Sequence, residues 1–164
     1  MESGLQCSSS MAHPIESVDE SLSDHVSAFE EAVVTAIVPG ELESWCRGVA
    51  AVLSRRRDDI AEAFDRQTAA LEAMAREDPE LLPRAENMQG RLASARASLG
   101  ELEERLGELE GAAGPRRDSS AEPTKPGETL RDDLLSWIVG LRALDQEILT
   151  WYHEAVTRDR GVVD

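Results

Sequence analysis

Nine apolar residues in the middle of this chain fall into one unbroken register. Leu81, Ala85, Met88, Leu92, Ala95, Leu99, Leu102, Leu106 and Leu109 are separated alternately by four and three residues. A 4,3 alternation keeps every member on one stripe of an α-helix, whereas a strand needs alternation every second residue. Sustained over about four heptads, it favours left-handed knobs-into-holes packing against neighbouring helices. Gly90, Gly100 and Gly107 lie off this stripe, and each costs up to about 1 kcal/mol of helix propensity relative to Ala. The helix therefore needs tertiary contacts to persist.

A second seam with the same step runs through Leu130, Leu134, Trp137, Leu141, Leu144, Ile148, Trp151 and Ala155. Two further stripes precede these. Ile15, Val18, Leu22, Phe29, Val33 and Ile37 share one helical face behind Ser17-Val18-Asp19-Glu20, which has the form of a capping box. Leu42, Trp45, Val49, Val52, Leu53, Ile60, Phe64, Leu71 and Met74 form the other. Pro39-Gly40 separates these two, and "EDPELLP" interrupts before the leucine seam, with Asp78 and Pro79 or Pro83 as start signals. Thr129 serves as N-cap of the last helix, and Arg158, Arg160 and Gly161 as its end. The expected helices span about 16–38, 41–76, 80–110 and 129–160. Residues 1–14 read as a disordered tail, and 111–128, rich in Gly, Pro and Ser, as a flexible loop. Aromatic residues at only 4% of the chain argue further against a sheet. The expectation is an all-α domain over 15–160, an antiparallel four-helix bundle with long coiled-coil-like helices.

Charge limits the partners. Thirty-three acidic residues against 17 basic ones give a net charge of −16. That field repels a phosphate backbone and an anionic lipid surface, so neither nucleic acid nor membrane is expected as a partner. No stretch approaches the ~20 apolar residues of a membrane span. The first residues lack the basic start and apolar run of a secretory signal, Met11 offers an alternative start, and two cysteines, Cys7 and Cys46, make no disulfide framework. The expected setting is a reduced cytoplasm.

A di-metal bundle wants Glu-x-x-His on two helices, and a two-histidine zinc motif wants ligands four residues apart. Here Ser10, Leu22 and Thr150 stand three residues before the three histidines, and Ser17, Phe29 and Thr157 stand four after them. His25 falls among Val18, Leu22 and Phe29 and reads as a boundary histidine whose ring packs. His153, two residues from Trp151, points about 200° around the helix from the seam, toward solvent. His153 and Glu154 are adjacent and do not share a helical face. A metal site would have to be supplied by His25 and His153 with carboxylates such as Glu30 and Glu154. Cys46 reads as a small buried thiol, Arg55-Arg56-Arg57 as a solvated face paired to nearby carboxylates, and Trp137 and Trp151 as core anchors. No phosphate loop, nucleophile elbow or Cys–His constellation occurs.

The ending "HEAVTRDRGVVD", with Asp159, Gly161 and Asp164, resembles the C-terminus of small bacterial helical proteins of the hemerythrin-like type. The resemblance covers about the last 20 residues and the helix count. It implies an antiparallel four-helix bundle and, in the family, a non-haem di-iron centre built mainly from histidines. Three histidines depart from that ligand set, so the implied kinship is to the scaffold without its metal. The expectation is a non-enzymatic bundle with no cofactor, acting through a protein partner or self-association. Its contact seam would be an apolar stripe left over after folding, along Leu92, Leu99, Leu102, Leu106 and Leu109. A metal- or oxygen-handling bundle is the alternative, and a small apolar ligand between the helices is a third possibility.

Overall fold

The computed structural model describes residues 22–112 and 125–159. Within them the chain forms four helices: α1 (Leu22–Val34), α2 (Leu42–Glu77), α3 (Leu82–Ala112) and α4 (Lys125–Asp159). One 3₁₀ turn, Pro79–Leu81, joins α2 to α3. Each helix packs against two others: α1 on α2 and α4, and α3 on α2 and α4. The expected tail, the capping box at Ser17 and Gly161 lie outside the described residues.

The stripes become the core. Trp45, Val49, Leu53, Ile60, Phe64, Leu71 and Met74 from α2 meet Ala85, Met88, Leu92, Leu99, Leu102 and Leu106 from α3, all buried. Helix α4 adds Leu130, Leu134, Trp137, Leu141, Leu144, Ile148 and Trp151, together with Ile138, which lies one residue off the 4,3 seam. Helix α1 adds Leu22, Val26, Phe29 and Val33. The α1 stripe thus runs through Val26, with His25 beside it on the half-buried flank. The anchoring role of the tryptophans is visible in their contacts. Trp137 meets Phe29 edge-on with ring centroids 6.4 Å apart, and its Nε1 donates to the Ala95 carbonyl at 2.8 Å. Arg84 lies over the Trp151 ring, 5.3 Å from its centroid.

Helix ends depart from the sequence reading in three places. Helix α1 stops at Val34, four residues short of the expected 38. Val38 precedes a proline and is thereby disfavoured from helical geometry. It instead opens a turn in which Glu41 N donates to Val38 O at 2.9 Å, with Gly40 at φ +87°. Second, α4 begins at Lys125, so Thr129 is no N-cap; its hydroxyl donates back to the Lys125 carbonyl at 2.9 Å, inside the helix. Pro126 is tolerated there because first-turn amides have no intrahelical acceptor. Third, α3 continues to Ala112, so the expected loop 111–128 is helical at both ends. Asp78 does act as a cap, accepting from Glu80 N at 3.0 Å, and both prolines sit where a helical segment starts. Gly127 marks a close approach, because a Cβ there would lie 2.5 Å from Leu42 Cδ1 and 3.1 Å from Ile37 Cδ1. The first turn of α4 thus rests on the α1–α2 connection.

Gly90, Gly100 and Gly107 have no atom within 4 Å of where a Cβ would sit. Replacing all three by Ala should stabilise the protein by up to about 1 kcal/mol each through helix propensity. Thermal unfolding followed by circular dichroism should then rise by roughly 2–4 °C per kcal/mol for a chain of this size.

Candidate functional site

Asp145 is the one charged residue that the described core buries, at 1% exposure. A buried carboxylate without donors is strongly disfavoured, so its partners matter more than its neighbours. Ser23 meets Oδ2 twice, through its hydroxyl at 2.6 Å and its backbone N–H at 3.2 Å. Gln67 Nε2 donates to Oδ1. Ser23 belongs to the first turn of α1, where backbone N–H groups lack intrahelical acceptors and the helix end carries partial positive charge. Asp145 therefore acts as an N-cap supplied by another helix. Three helices, α1, α2 and α4, join at this carboxylate.

A ring of partly exposed polar groups surrounds the node. Arg142, one turn before Asp145, reaches Glu30 at 2.7 Å and Ser27 Oγ at 3.3 Å. Arg66 reaches Glu62 at 3.3 Å and His25 Nε2 at 3.3 Å. Arginine has no acceptor, so Nε2 faces it with its lone pair. His25 thus spans α1 and α2 as a hydrogen-bonded boundary residue.

The other residues singled out from the sequence are dispersed. His153 and Glu154 are exposed on the last turns of α4; Glu154 lies 3.8 Å from Arg84, and the His153 ring lies edge-on to Tyr152. Glu30 is engaged by Arg142. Among the described residues no three His, Cys, Asp or Glu side chains gather as a metal would require. Leu92, Leu99, Leu102 and Leu106 are buried and Leu109 partly so, all packed into the chain's own core. The stripe expected to remain free after folding is used by folding. Arg56 pairs with Asp59 at 3.2 Å, one turn along, whereas Arg57 crosses to Glu103 on α3 at 3.5 Å. Cys7 lies outside the described residues.

Cys46 is fully buried, and its thiol pKa is pushed up to about 11, first by burial and then by the charge of Glu110. A shallow groove of about 440 Å³ opens between the end of α3 and the start of α4, lined by Arg105, Glu108, Leu109, Ala112, Pro126, Thr129 and Leu130. Among the described residues no helix is long and apolar enough to cross a membrane.

Ser23, Gln67 and Asp145 were not singled out by the sequence reading, although two left a trace in it. Gln67 fills the only gap between Phe64 and Leu71 in the α2 stripe, so a polar residue stands at an inward position. Asp145 follows Ile138 by seven residues, forming a second stripe on α4 that the regular leucine seam conceals. Ser23 left no signal, because its donors gain meaning only from the helix packed opposite. Comparison of the chain with known protein families, with curated proteins and with solved structures finds no match in any of the three.

Removing the carboxylate leaves the Ser23 and Gln67 donors facing an apolar interior. Asp145→Ala should lower unfolding stability by about 1–3 kcal/mol, measured by urea titration. In a Cys7→Ser background, the Cys46 thiol should resist Ellman's reagent at pH 8 and react once the chain is unfolded. The pH dependence has a definite sign. The folded form holds its proton more tightly than an ordinary thiol, which titrates near 9.0, so this contribution to stability is present below pH 9 and declines as pH rises toward 11.

Proposed function

We propose that this chain is an antiparallel four-helix bundle with coiled-coil-like packing that works without catalysis, as a cytoplasmic scaffold or adaptor acting through protein contacts. The order of the interhelical ion pairs supports the antiparallel arrangement. From α2 to α3 the pairs are Arg47–Glu110, Arg57–Glu103 and Asp65–Arg96; from α3 to α4 they are Arg84–Glu154, Arg91–Glu147 and Arg105–Asp133. In both sets one number climbs as the other falls. A buried thiol outside any disulfide accords with a reducing compartment.

The contact role rests on the outward side of α3. Glu101, Glu104 and Glu108 stand exposed there about one turn apart, beside Gly100 and Gly107, over which the space is open. With the leucine seam turned inward, this acidic face is the surface α3 offers, and a net charge of −16 adds a long-range attraction for a basic protein surface. A rod of three helices, the longest about 54 Å at 1.5 Å per residue, holds the face straight.

Carbodiimide crosslinking of the full chain in extract of its own cells, read by mass spectrometry, tests this reading. A basic partner joined through Glu101, Glu104 or Glu108 is the expected result. Changing all three to Lys should abolish the crosslink without lowering the thermal midpoint by more than a few degrees, and raising salt to 0.5 M should weaken it. A partner retained by the Lys variant at high salt would refute the acidic-face reading.

A further inference from the structure

Helix α1 differs from the other three in ways that bear on one another. Among the described residues it spans 13, against 36, 31 and 35 for α2, α3 and α4. Ser23 N–H donates to Asp145, which ties the start of this span to α4. A helix of that length is marginal by itself in water. Four of its side chains are buried, against nine from α2 and six from α3. After Val34 the chain is non-helical through Glu41, with the Pro39-Gly40 turn as its corner.

The contacts of α1 also differ in kind. Its apolar stripe is flanked by polar bridges to both neighbours: Ser23 to Asp145, His25 to Arg66, and Ser27 and Glu30 to Arg142. Water can replace each of these bridges when the helix lifts away. Helix α3 packs on both α2 and α4 without passing through α1, and the ion pairs of α3 with its two neighbours involve no α1 residue. Trp137, which α1 covers with Phe29, remains tied to α3 through the Ala95 carbonyl.

We infer that α1 is a separately opening element, which undocks from the α2–α4 face as a unit while the other three helices stay assembled, with Asp145 as its latch. Opening presents a trough holding the Asp145 carboxylate, the Gln67 amide and the exposed face of Trp137. This adds a conditional surface to the protein-contact reading, and it is measured without a partner, so the two stand or fall separately.

The test is native-state hydrogen exchange on the full chain, read by mass spectrometry of proteolytic fragments at low guanidinium concentrations. Peptides covering 22–34 should exchange about tenfold or more faster than those of 85–106 and 130–151, with little dependence on denaturant, the mark of a local opening. Asp145→Ala should speed α1 by about a further tenfold and leave α3 unchanged. Ser23→Ala, which keeps the carboxylate and the core, should act in the same direction more weakly, and it serves if the Asp145 variant does not fold. Leu99→Ala, in the shared core, should speed the exchange of α2, α3 and α4 together. Exchange of α1 in step with α3 in the unaltered protein, or acceleration of all four helices alike by Ser23→Ala, would overturn the inference.

Discussion

A carboxylate inside an apolar core has to be given donors, and the way this chain supplies them sets how α1 sits. Asp145 accepts from the first turn of α1 and from the middle of α2 while belonging to α4. Leucine packing alone constrains helices weakly along their length, since a slide by one heptad repeats the same pattern. A hydrogen-bonded node has no such repeat. One residue thereby fixes the level at which a short helix meets two long ones, and the rest of α1 follows, from Phe29 against Trp137 to Ile37 over the start of α4.

The long-range ion pairs act differently. Those of α2, α3 and α4 lie along the helix edges with at least one partner well exposed to water, where each is worth at most about 1 kcal/mol. Their number also leaves many acids over. The chain carries an excess of 16 negative charges and the apolar stripes of its helices are turned inward, so what a neighbouring molecule meets first is charge. Surface charge and core packing are thereby separate properties, which substitutions can alter independently.

Much of this was legible in the sequence where a single helix repeats itself. The seams of α3 and α4 appear in the structure at the positions their 4,3 steps gave, because side chains that recur on one stripe need only a neighbour to bury against. Legibility failed where two stripes share a helix or where a partner decides. Val26 rather than His25 carries the α1 stripe, since α1 meets both α2 and α4 and its buried face is centred between them. The ends of α1 and α4 were misjudged for a related reason. Thr129 has the chemistry of an N-cap, yet Lys125 to Glu128 extend the helix because Gly127 allows them to rest on Leu42 and Ile37. Capping preference is local, and a contact with a distant turn outweighs it. Asp145 goes unmarked for the same reason: a carboxylate beside a leucine seam is ordinarily solvated, and only the serine and glutamine opposite make burial tolerable.

The contact at Gly127 has a consequence for how the chain can be joined. The start of α4 rests on the α1–α2 corner, with Gly127 85 residues away from Leu42 in sequence. A side chain at position 127 would disturb the corner between α1 and α2 and the start of α4 together, so one small residue joins two places far apart in the sequence.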